Sequence, residues 1–329
     1  MPLASRITRA AALTLIAALA LAPFTASAQS DRLPDGPIRI VVPFTAGGNV
    51  DIVARIVAQA LADDLKASVI VENKPGANAI IGAESVARSP ADGRTLLFGT
   101  AETHAINPHI YRKLAYDPLK DFVTVGVVDS FPFALVSSPT VPAASLGDFV
   151  RYAKDHGADM NYATWGVGST SQIAFEQLKQ VAGFQAVHVP FKGAAPAITA
   201  VAGGEVQAFM VPLSVARPQA QAGRVRILAV TSESRDESAP DVPTAREQGV
   251  PVVIGGWHVL AAPRGTPAAT VKRLNQALNA ATGAPAVRER LLKQGVQPAS
   301  STPEAAQAMV EAEWRRWGDV AKAAAISAD

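Results

Sequence analysis

Near the start of the chain, the spacing of apolar positions changes from that of a strand to that of a helix. Four of the five residues at 38–42 are isoleucine or valine, and Pro43 ends this predicted strand. From Val53 onward, apolar residues recur at helical spacing, so a helix is predicted soon after Gly47 and Gly48. The stretch therefore predicts a strand, a glycine loop and a helix.

The same order recurs in the second half of the chain. Residues 161–164 predict a strand, 165–171 a glycine loop and 172–182 a helix. The apolar positions expected on this helix are Ile173, Phe175, Leu178 and Val181. We expect the two loops to face each other across a cleft between two domains.

Elsewhere, strands alternate with helices, which predicts an α/β protein with a parallel sheet covered on both faces. The other strands are predicted at 68–72, 95–99, 123–128, 133–137, 206–211 and 227–231, with 187–193 as a strand and turn and 100–108 as a loop. The other helices are predicted at 80–88, 145–156, 194–202, 267–282 and 302–325. The expected division is 1–28 as a leader, 29–130 with 245–329 as one domain, and 131–244 as a second.

The first glycine loop suits an anion. The first amides of a helix lack backbone partners, and Gly47 and Gly48 leave room for a ligand beside them. The loop has neither the Gly-Lys-Ser/Thr ending of a P-loop nor the three-glycine dinucleotide fingerprint, so no nucleotide cofactor is predicted. A tight turn whose glycines only supply unusual backbone angles explains the local pattern equally well.

The first 28 residues have the order of a secretory signal peptide. Arg6 and Arg9 precede an apolar run at 10–24, and Ala26-Ser27-Ala28 supplies a small-x-small cleavage site. About 15 apolar residues are too few for the roughly 20 that span a bilayer. Export to the periplasm with cleavage after Ala28 is therefore predicted.

Composition narrows the choice of partners. Of 30 basic residues, Arg6 and Arg9 leave with the leader, so 28 remain against 28 acidic ones. No basic run or stripe appears, which argues against nucleic acid and anionic membranes as partners. The chain has no cysteine, so its stability must come from packing. It is expected to act as a monomer.

Catalysis finds little support in the sequence. The five histidines lack metal-ligand spacing, and there is no Gly-x-Ser-x-Gly elbow, so neither a metal site nor a catalytic residue is predicted. An exported hydrolase that uses Ser169 with His104 is kept as an alternative, and turnover of esters would reveal it.

A series of short motifs runs in order through nearly the whole chain, at 37–44, 47–51, 71–77, 92–97, 106–108, 116–118, 166–169, 189–193, 242–244 and 265–267. With these motifs, the chain resembles the solute-binding receptors of tripartite tricarboxylate transporters, also called Bug-type periplasmic binding proteins. The resemblance implies a two-domain Venus-flytrap fold with a ligand cleft between the domains. It also implies no cofactor, a small mono-, di- or tricarboxylic or aromatic acid as ligand, and membrane transporter subunits as partners. A receptor that reports its ligand to a signalling protein would share every one of these features.

The resemblance assigns the ligand to the loops at 44–51 and 164–171, which grip a carboxylate with amides, hydroxyls and water. The loop after the third predicted strand adds His104. The expected ligand-binding residues are Phe44, Thr45, Ala46, Gly47, Gly48, Asp51, His104, Thr164, Trp165, Gly168, Ser169, Thr170 and Ser171. Each has a structural alternative. Asp51 would act indirectly, through an ordered water or the positive helix end, and the hydroxyls of 169–171 could cap the helix instead. Trp165 could pack on the hinge, and His104 could be a hydrogen-bonded structural residue.

The sequence also departs from the family pattern. Asn78-Ala79 stands where the family often has a glycine pair, and Gln172-Ile173 stands near a position that is commonly His-Leu. These differences leave the ligand open. Enlargement of Gly48 or Gly168 is expected to weaken binding without unfolding the protein.

Overall fold

The computed structural model describes residues 36–328, so the predicted leader at 1–28 lies outside the described residues. The strands are β1 (Ile38–Val42), β2 (Val69–Asn73), β3 (Thr95–Thr100), β4 (Phe122–Ser137), β5 (Asn161–Thr164), β6 (Val187–Pro190), β7 (Ala208–Pro212), β8 (Arg226–Val230), β9 (Gly255–Pro263) and β10 (Gln297–Pro298). The helices are α1 (Asn49–Leu65), α2 (Ile80–Ala87), α3 (Asn107–Ile110), α4 (Leu146–His156), α5 (Thr170–Ala182), α6 (Ala194–Ala202), α7 (Leu213–Gln221), α8 (Ala268–Gly283), α9 (Pro285–Lys293) and α10 (Pro303–Ala323). A π-helical turn, Glu102–Ile106, leads into α3.

The strands of the described residues form one curled, mixed sheet. Its main path is β2-β1-β3-β9-β4-β7-β5-β6, while β8 and β10 pair with β4 beside it. Strands β1, β2 and β3 are parallel, and so are β5, β6 and β7, which confirms the predicted parallel pairing at both ends of the path. In the middle, β9 and β4 pair antiparallel with their neighbours, so the expectation of a parallel sheet is wrong there.

Strand β4 joins the two parallel sets. The sequence pattern predicts two strands here, but the structure has one continuous strand of 16 residues. It pairs with β9 as far as Pro132 and with β7 and β8 from Phe133 onward. The partner thus changes at a residue that has no N–H to donate to a ladder. The domain bounds 29–130, 131–244 and 245–329 remain predictions.

Both glycine loops lead directly into helices, as predicted. Helix α1 begins at Asn49, and its N-cap residue Gly48 has no side chain to cap it. Helix α5 begins at Thr170, two residues before the predicted start, because the Ser169 side chain accepts a hydrogen bond from the amide of Gln172. One helix start is therefore capped by its own chain and the other is not.

Three helical segments differ from the sequence prediction. The segment predicted as a loop at 100–108 contains the π turn and the first half of α3. The pattern missed the π turn because such a turn does not produce the 3.6-residue period by which a helix is recognised. Helices α7 and α9 are not predicted. Pro218 lies inside α7, where proline usually argues against a helix, and α9 follows α8 after only Ala284.

The two glycine-loop helices are anchored in separate cores. Val57 of α1 packs in one core with Ile40 of β1 and Leu278 of α8. Phe175 of α5 packs in another with Trp317 of α10. Each loop is therefore carried by a helix whose apolar face is fixed. Among the helices at 36–328, none is both long and apolar enough to cross a bilayer.

Helix α5 offers a test of how it faces the core. Leu178 is 1% exposed, whereas Val181 is 42% exposed, although the sequence pattern places both on the apolar face. Leu178→Ala should lower the free energy of unfolding by about 2–5 kcal/mol, because it leaves a cavity in the core. Val181→Ala, the matched control, should change it by less than about 0.5 kcal/mol. Equal losses in urea denaturation would show that α5 is oriented differently.

Candidate ligand-binding site

A cavity of about 400 Å³ is lined by residues of both glycine loops. Five of the residues predicted from the sequence line it: Phe44, Thr45, Gly48, Trp165 and Thr170. The others, namely Ala46, Gly47, Asp51, His104, Thr164, Gly168, Ser169 and Ser171, lie outside its lining. Contact with a ligand remains a prediction for all thirteen residues.

The rest of the lining is not among the individually predicted residues, although residues 49–50 and 100–102 belong to loops that the sequence analysis assigns to the site. It comprises Asn49, Val50, Asn78, Thr100, Ala101, Glu102, Phe131, Phe133, Gly193, Ala194, Pro212, Val215, Gly256, Trp257 and His258. Outside those loops, only tertiary folding brings the lining segments together, so no local pattern marks them. Glu102 has the clearest sequence signal, a charged side chain directly after the carboxyl end of a buried strand.

Asp51 stabilises the backbone of the first loop through hydrogen bonds and does not line the cavity. Its Oδ2 accepts from the Gly47 amide at 2.9 Å and Arg55 Nε at 3.0 Å, and its Oδ1 accepts from Asn73 Nδ2 at 2.9 Å. The same Asn73 nitrogen donates to the carbonyl oxygen of Phe44 at 3.1 Å. Burial opposes ionisation of Asp51, but the hydrogen bonds from Arg55, Gly47 and Asn73 outweigh it and hold the pKa below its ordinary value. The indirect role expected for Asp51 thus corresponds to a brace on the loop backbone.

The hydroxyls of the second loop serve the protein interior. Thr164 Oγ1 and Ser169 Oγ both donate to the carbonyl oxygen of Gly166, at 3.1 Å and 2.6 Å. Ser171 Oγ donates to the Met210 carbonyl oxygen at 2.8 Å. All three side chains are buried, so the capping alternative describes Ser169 and a sheet contact describes Ser171.

Glu102 holds the start of helix α5. Its Oε1 accepts from the amide of Thr170 at 3.1 Å and from the hydroxyl of the same residue, and its Oε2 accepts from Thr100 Oγ1 at 2.7 Å. The side chain is buried, yet it lines the cavity. The helix start that the sequence offers to an anion is therefore occupied by a carboxylate of the protein itself.

His104 lies beside the cavity lining rather than in it. Its Nδ1 is 2.8 Å from Thr103 Oγ1, and its Nε2 has no hydrogen-bond partner among the described residues. Gly99 makes room for the ring, since a Cβ there would lie 2.3 Å from His104 Cε1. Burial lowers the pKa of His104 to about 4, so the ring is neutral at physiological pH. It is not hydrogen-bonded to Ser169, the partner that the hydrolase alternative requires.

A second histidine does reach the cavity. His258 Nδ1 lies 2.8 Å from Oδ1 and 3.0 Å from Oδ2 of Asp129, which is fully buried. The neighbouring Trp257 is fixed by its Nε1, which donates to Glu313 of α10 at 3.1 Å. Both aromatic side chains are thus held by carboxylates outside the lining. Among residues 36–328, no three metal-ligand side chains converge on one point.

Strained backbone presents Asn78 to the second loop. Ala77, Asn78 and Ala79 all have positive φ, at 47°, 49° and 72°, which is unfavourable for residues with a Cβ. Asn78 Nδ2 donates to the Gly168 carbonyl oxygen at 3.1 Å and to Asn107 Oδ1 at 2.8 Å. The family glycine pair that the sequence lacks here would adopt this backbone without strain.

Gly168 is not a clean site for testing the second loop. A Cβ there would lie 2.1 Å from Ile110 Cδ1, and its φ of +70° disfavours any side chain. A larger residue at 168 therefore strains the loop backbone, and the expected loss of binding without unfolding remains a prediction at this position. At Gly48 the nearest atom to an added Cβ is the Thr45 carbonyl oxygen, at an ordinary 3.5 Å.

The chain is similar in sequence and in fold to several known proteins. The chain is 31% identical over 306 residues to the protein BugT of Bordetella pertussis, covering 92% of this chain and 94% of BugT. The structure of R. palustris Rpa4515 with adipate is 36% identical, with a TM-score of 0.82, and the match covers 89% of this chain and 99% of that one. MatC from Rhodopseudomonas palustris with bound malate is 35% identical, with a TM-score of 0.78, covering 87% and 99%.

The curled α/β fold with this cavity is that of a periplasmic binding protein. The model of the tripartite tricarboxylate transporter family receptor matches residues 53–326, and the chain belongs to this family. The resemblance stated from the sequence motifs is thereby confirmed, and so is the predicted fold class.

Asp51 provides a test of the loop brace. Asp51→Asn should lower the free energy of unfolding at neutral pH by about 1.5–3 kcal/mol, because hydrogen bonds to a buried charged group are lost. The folded-state pKa lies below the ordinary 3.8, so the contribution is complete above that pH and is lost as pH falls through the folded-state value. Urea unfolding at neutral pH and again well below pH 3.8 should show the difference between wild type and variant shrink.

The matched control is Asp63→Asn, which removes an exposed carboxylate from the same helix. It should leave stability nearly unchanged at both pH values. A pH-independent difference between Asp51→Asn and wild type would mean that the charge of Asp51 does not brace the loop.

Proposed function

We propose that this chain is a periplasmic receptor that captures a small carboxylate and delivers it to the membrane subunits of a tripartite tricarboxylate transporter. The observation that carries the proposal is the cavity lined by both glycine loops in a chain of this receptor family. Relatives described with adipate and with malate support a carboxylate as the ligand. Transport, rather than catalysis, is the role that a receptor of this family serves.

The start of α1 is the proposed carboxylate site. Gly48, Asn49 and Val50 line the cavity at the uncapped N-terminus of this helix. Amides there lack intrahelical partners, and the helix dipole adds positive potential. Several such amides, preorganised by the Asp51 brace, hold a carboxylate without a lysine or arginine.

Ligand capture would couple to domain closure. The first loop belongs to the β1–α1 unit and the second to the β5–α5 unit, which lie near opposite ends of the sheet path. A ligand that touches both loops binds the closed arrangement more tightly and so selects it. The division at 29–130, 131–244 and 245–329 is part of this proposal.

A thermal-shift screen tests the proposed function directly. The chain from Gln29 onward should be stabilised by at least one small carboxylate in a panel of aliphatic, aromatic and amino acids. At 100 times its dissociation constant, a ligand adds about 2.7 kcal/mol to the free energy of unfolding, because only the folded state binds it. Uncharged amides of the same acids are the control and should give no shift. A folded, ligand-free protein that responds to no carboxylate would contradict the proposal.

Gly48→Ala tests the position of the carboxylate. The added methyl group meets no close protein atom, so folding should be preserved, but it stands beside the amides that the ligand approaches. Affinity for the carboxylate found in the screen should fall about tenfold, or roughly 1.4 kcal/mol, as measured by titration calorimetry.

Gly283→Ala is the matched control for that measurement. Gly283 ends α8, and an added Cβ there meets nothing within 4 Å. It does not line the cavity, so affinity should be unchanged. Equal affinities of the two variants would remove the start of α1 from the binding site.

A further inference from the structure

The carboxylate of Glu102 has one acceptor position without a hydrogen-bond partner among the described residues. Its Oε1 accepts from both the amide and the hydroxyl of Thr170, while Oε2 accepts only from Thr100 Oγ1. An ionised carboxylate offers about four acceptor positions, so Oε2 can accept one more donor. The side chain is 5% exposed and lines the cavity, where a ligand can supply that donor.

No basic side chain in the lining balances this charge. Glu102 and His258 are the titratable side chains among the described lining residues, and neither lysine nor arginine is present there. His258 is hydrogen-bonded to buried Asp129, so any positive charge on its ring is matched by that carboxylate. Lys192, next to lining residue Gly193, is exposed and lies outside the lining. Among the described residues, the lining therefore has one carboxylate and no lysine or arginine to pair with it.

The walls of the cavity are aromatic. Phe131 and Phe133 lie 5.8 Å apart between ring centroids, and Trp165 lies 6.0 Å from Phe133. Phe44 and Trp257 complete the aromatic lining. Aromatic faces attract cations, and the attraction is larger where water is excluded.

We infer that the ligand is zwitterionic, with a carboxylate at the start of α1 and a cationic nitrogen between Glu102 and the aromatic walls. This inference rests on the proposed function. The second carboxylate of a dicarboxylic acid would meet Glu102, and no basic lining residue would offset the repulsion. It could not bind the Thr170 amide at the start of α5 instead, because that amide already donates to Glu102. Glu102 is thus the specificity-determining residue that favours an amino acid or betaine over a dicarboxylate.

Three acids of equal chain length separate these possibilities: 6-aminohexanoate, hexanoate and adipate. Wild-type protein should bind 6-aminohexanoate about 10- to 100-fold more tightly than adipate, because a charge-assisted hydrogen bond replaces a like-charge contact. Hexanoate, with an uncharged end, should lie between them. Titration calorimetry on the chain from Gln29 onward measures all three affinities.

Glu102→Gln is the matched variant, since it keeps the shape of the side chain and removes its charge. The variant should have a lower affinity for 6-aminohexanoate and a higher affinity for adipate than the wild type. Its affinity for hexanoate should be nearly unchanged. A wild-type preference for adipate would overturn the inference, and so would an unchanged ratio of the two affinities in Glu102→Gln, which would make Glu102 only a cap for α5. If the variant does not fold, the order of the three affinities in the wild-type protein still tests the inference.

Failure of the inference and failure of the proposed function are distinguishable in this series. If the protein binds adipate or hexanoate tightly and does not bind 6-aminohexanoate, the inference of a zwitterionic ligand is wrong. The proposed function as a carboxylate receptor would still hold. If neither these acids nor any carboxylate of the thermal-shift panel binds, both the inference and the proposed function are wrong.

Discussion

The bond between Glu102 and Thr170 is the interaction on which the shape and charge of the cavity depend. It ties the π turn after β3 to the first residue of α5, two elements that lie 68 residues apart in the chain. The amide at the start of a helix needs a partner, and a buried carboxylate needs donors, so each group satisfies the other. Both residues line the cavity, so the pair also places a carboxylate in its wall.

The two glycine loops therefore have the same architecture and different chemistry. At α5, Ser169 caps the helix and Glu102 fills its anion site. At α1, the N-cap is a glycine, and Asp51 binds the loop from the side away from the cavity. One helix start is bonded to side chains of the protein, and the other has no side-chain cap and is the proposed carboxylate site. This asymmetry is the physical basis for the proposed single carboxylate site.

Local pattern was sufficient for most of the fold. The β-branched run at 38–42, the helical spacing after Gly48 and the Ser145 cap of α4 are all encoded within a few residues, and the elements lie where these signals place them. The continuity of β4 was not predictable in this way, because its two halves are held by β9 and β7, partners distant in sequence.

The candidate site was predictable only in outline. The order of strand, glycine loop and helix identifies both loops, since their glycines and helix starts are local features. The partners of their hydroxyl groups are not local. Ser171 donates to Met210, and Thr170 to Glu102, so residues that look like ligand contacts in the sequence are already satisfied in the fold. For the same reason, the sequence did not identify Glu102 as a site residue, because Glu102 lines the cavity only when α5 packs beside it.

A crystal structure of the complex with the carboxylate that stabilises the protein most would test the central claim directly. The account predicts a ligand carboxylate oxygen within about 2.7–3.2 Å of amide nitrogens at the start of α1, with Glu102 still bonded to Thr170. A ligand carboxylate on the Thr170 amide, with Glu102 displaced and the start of α1 empty, would contradict it.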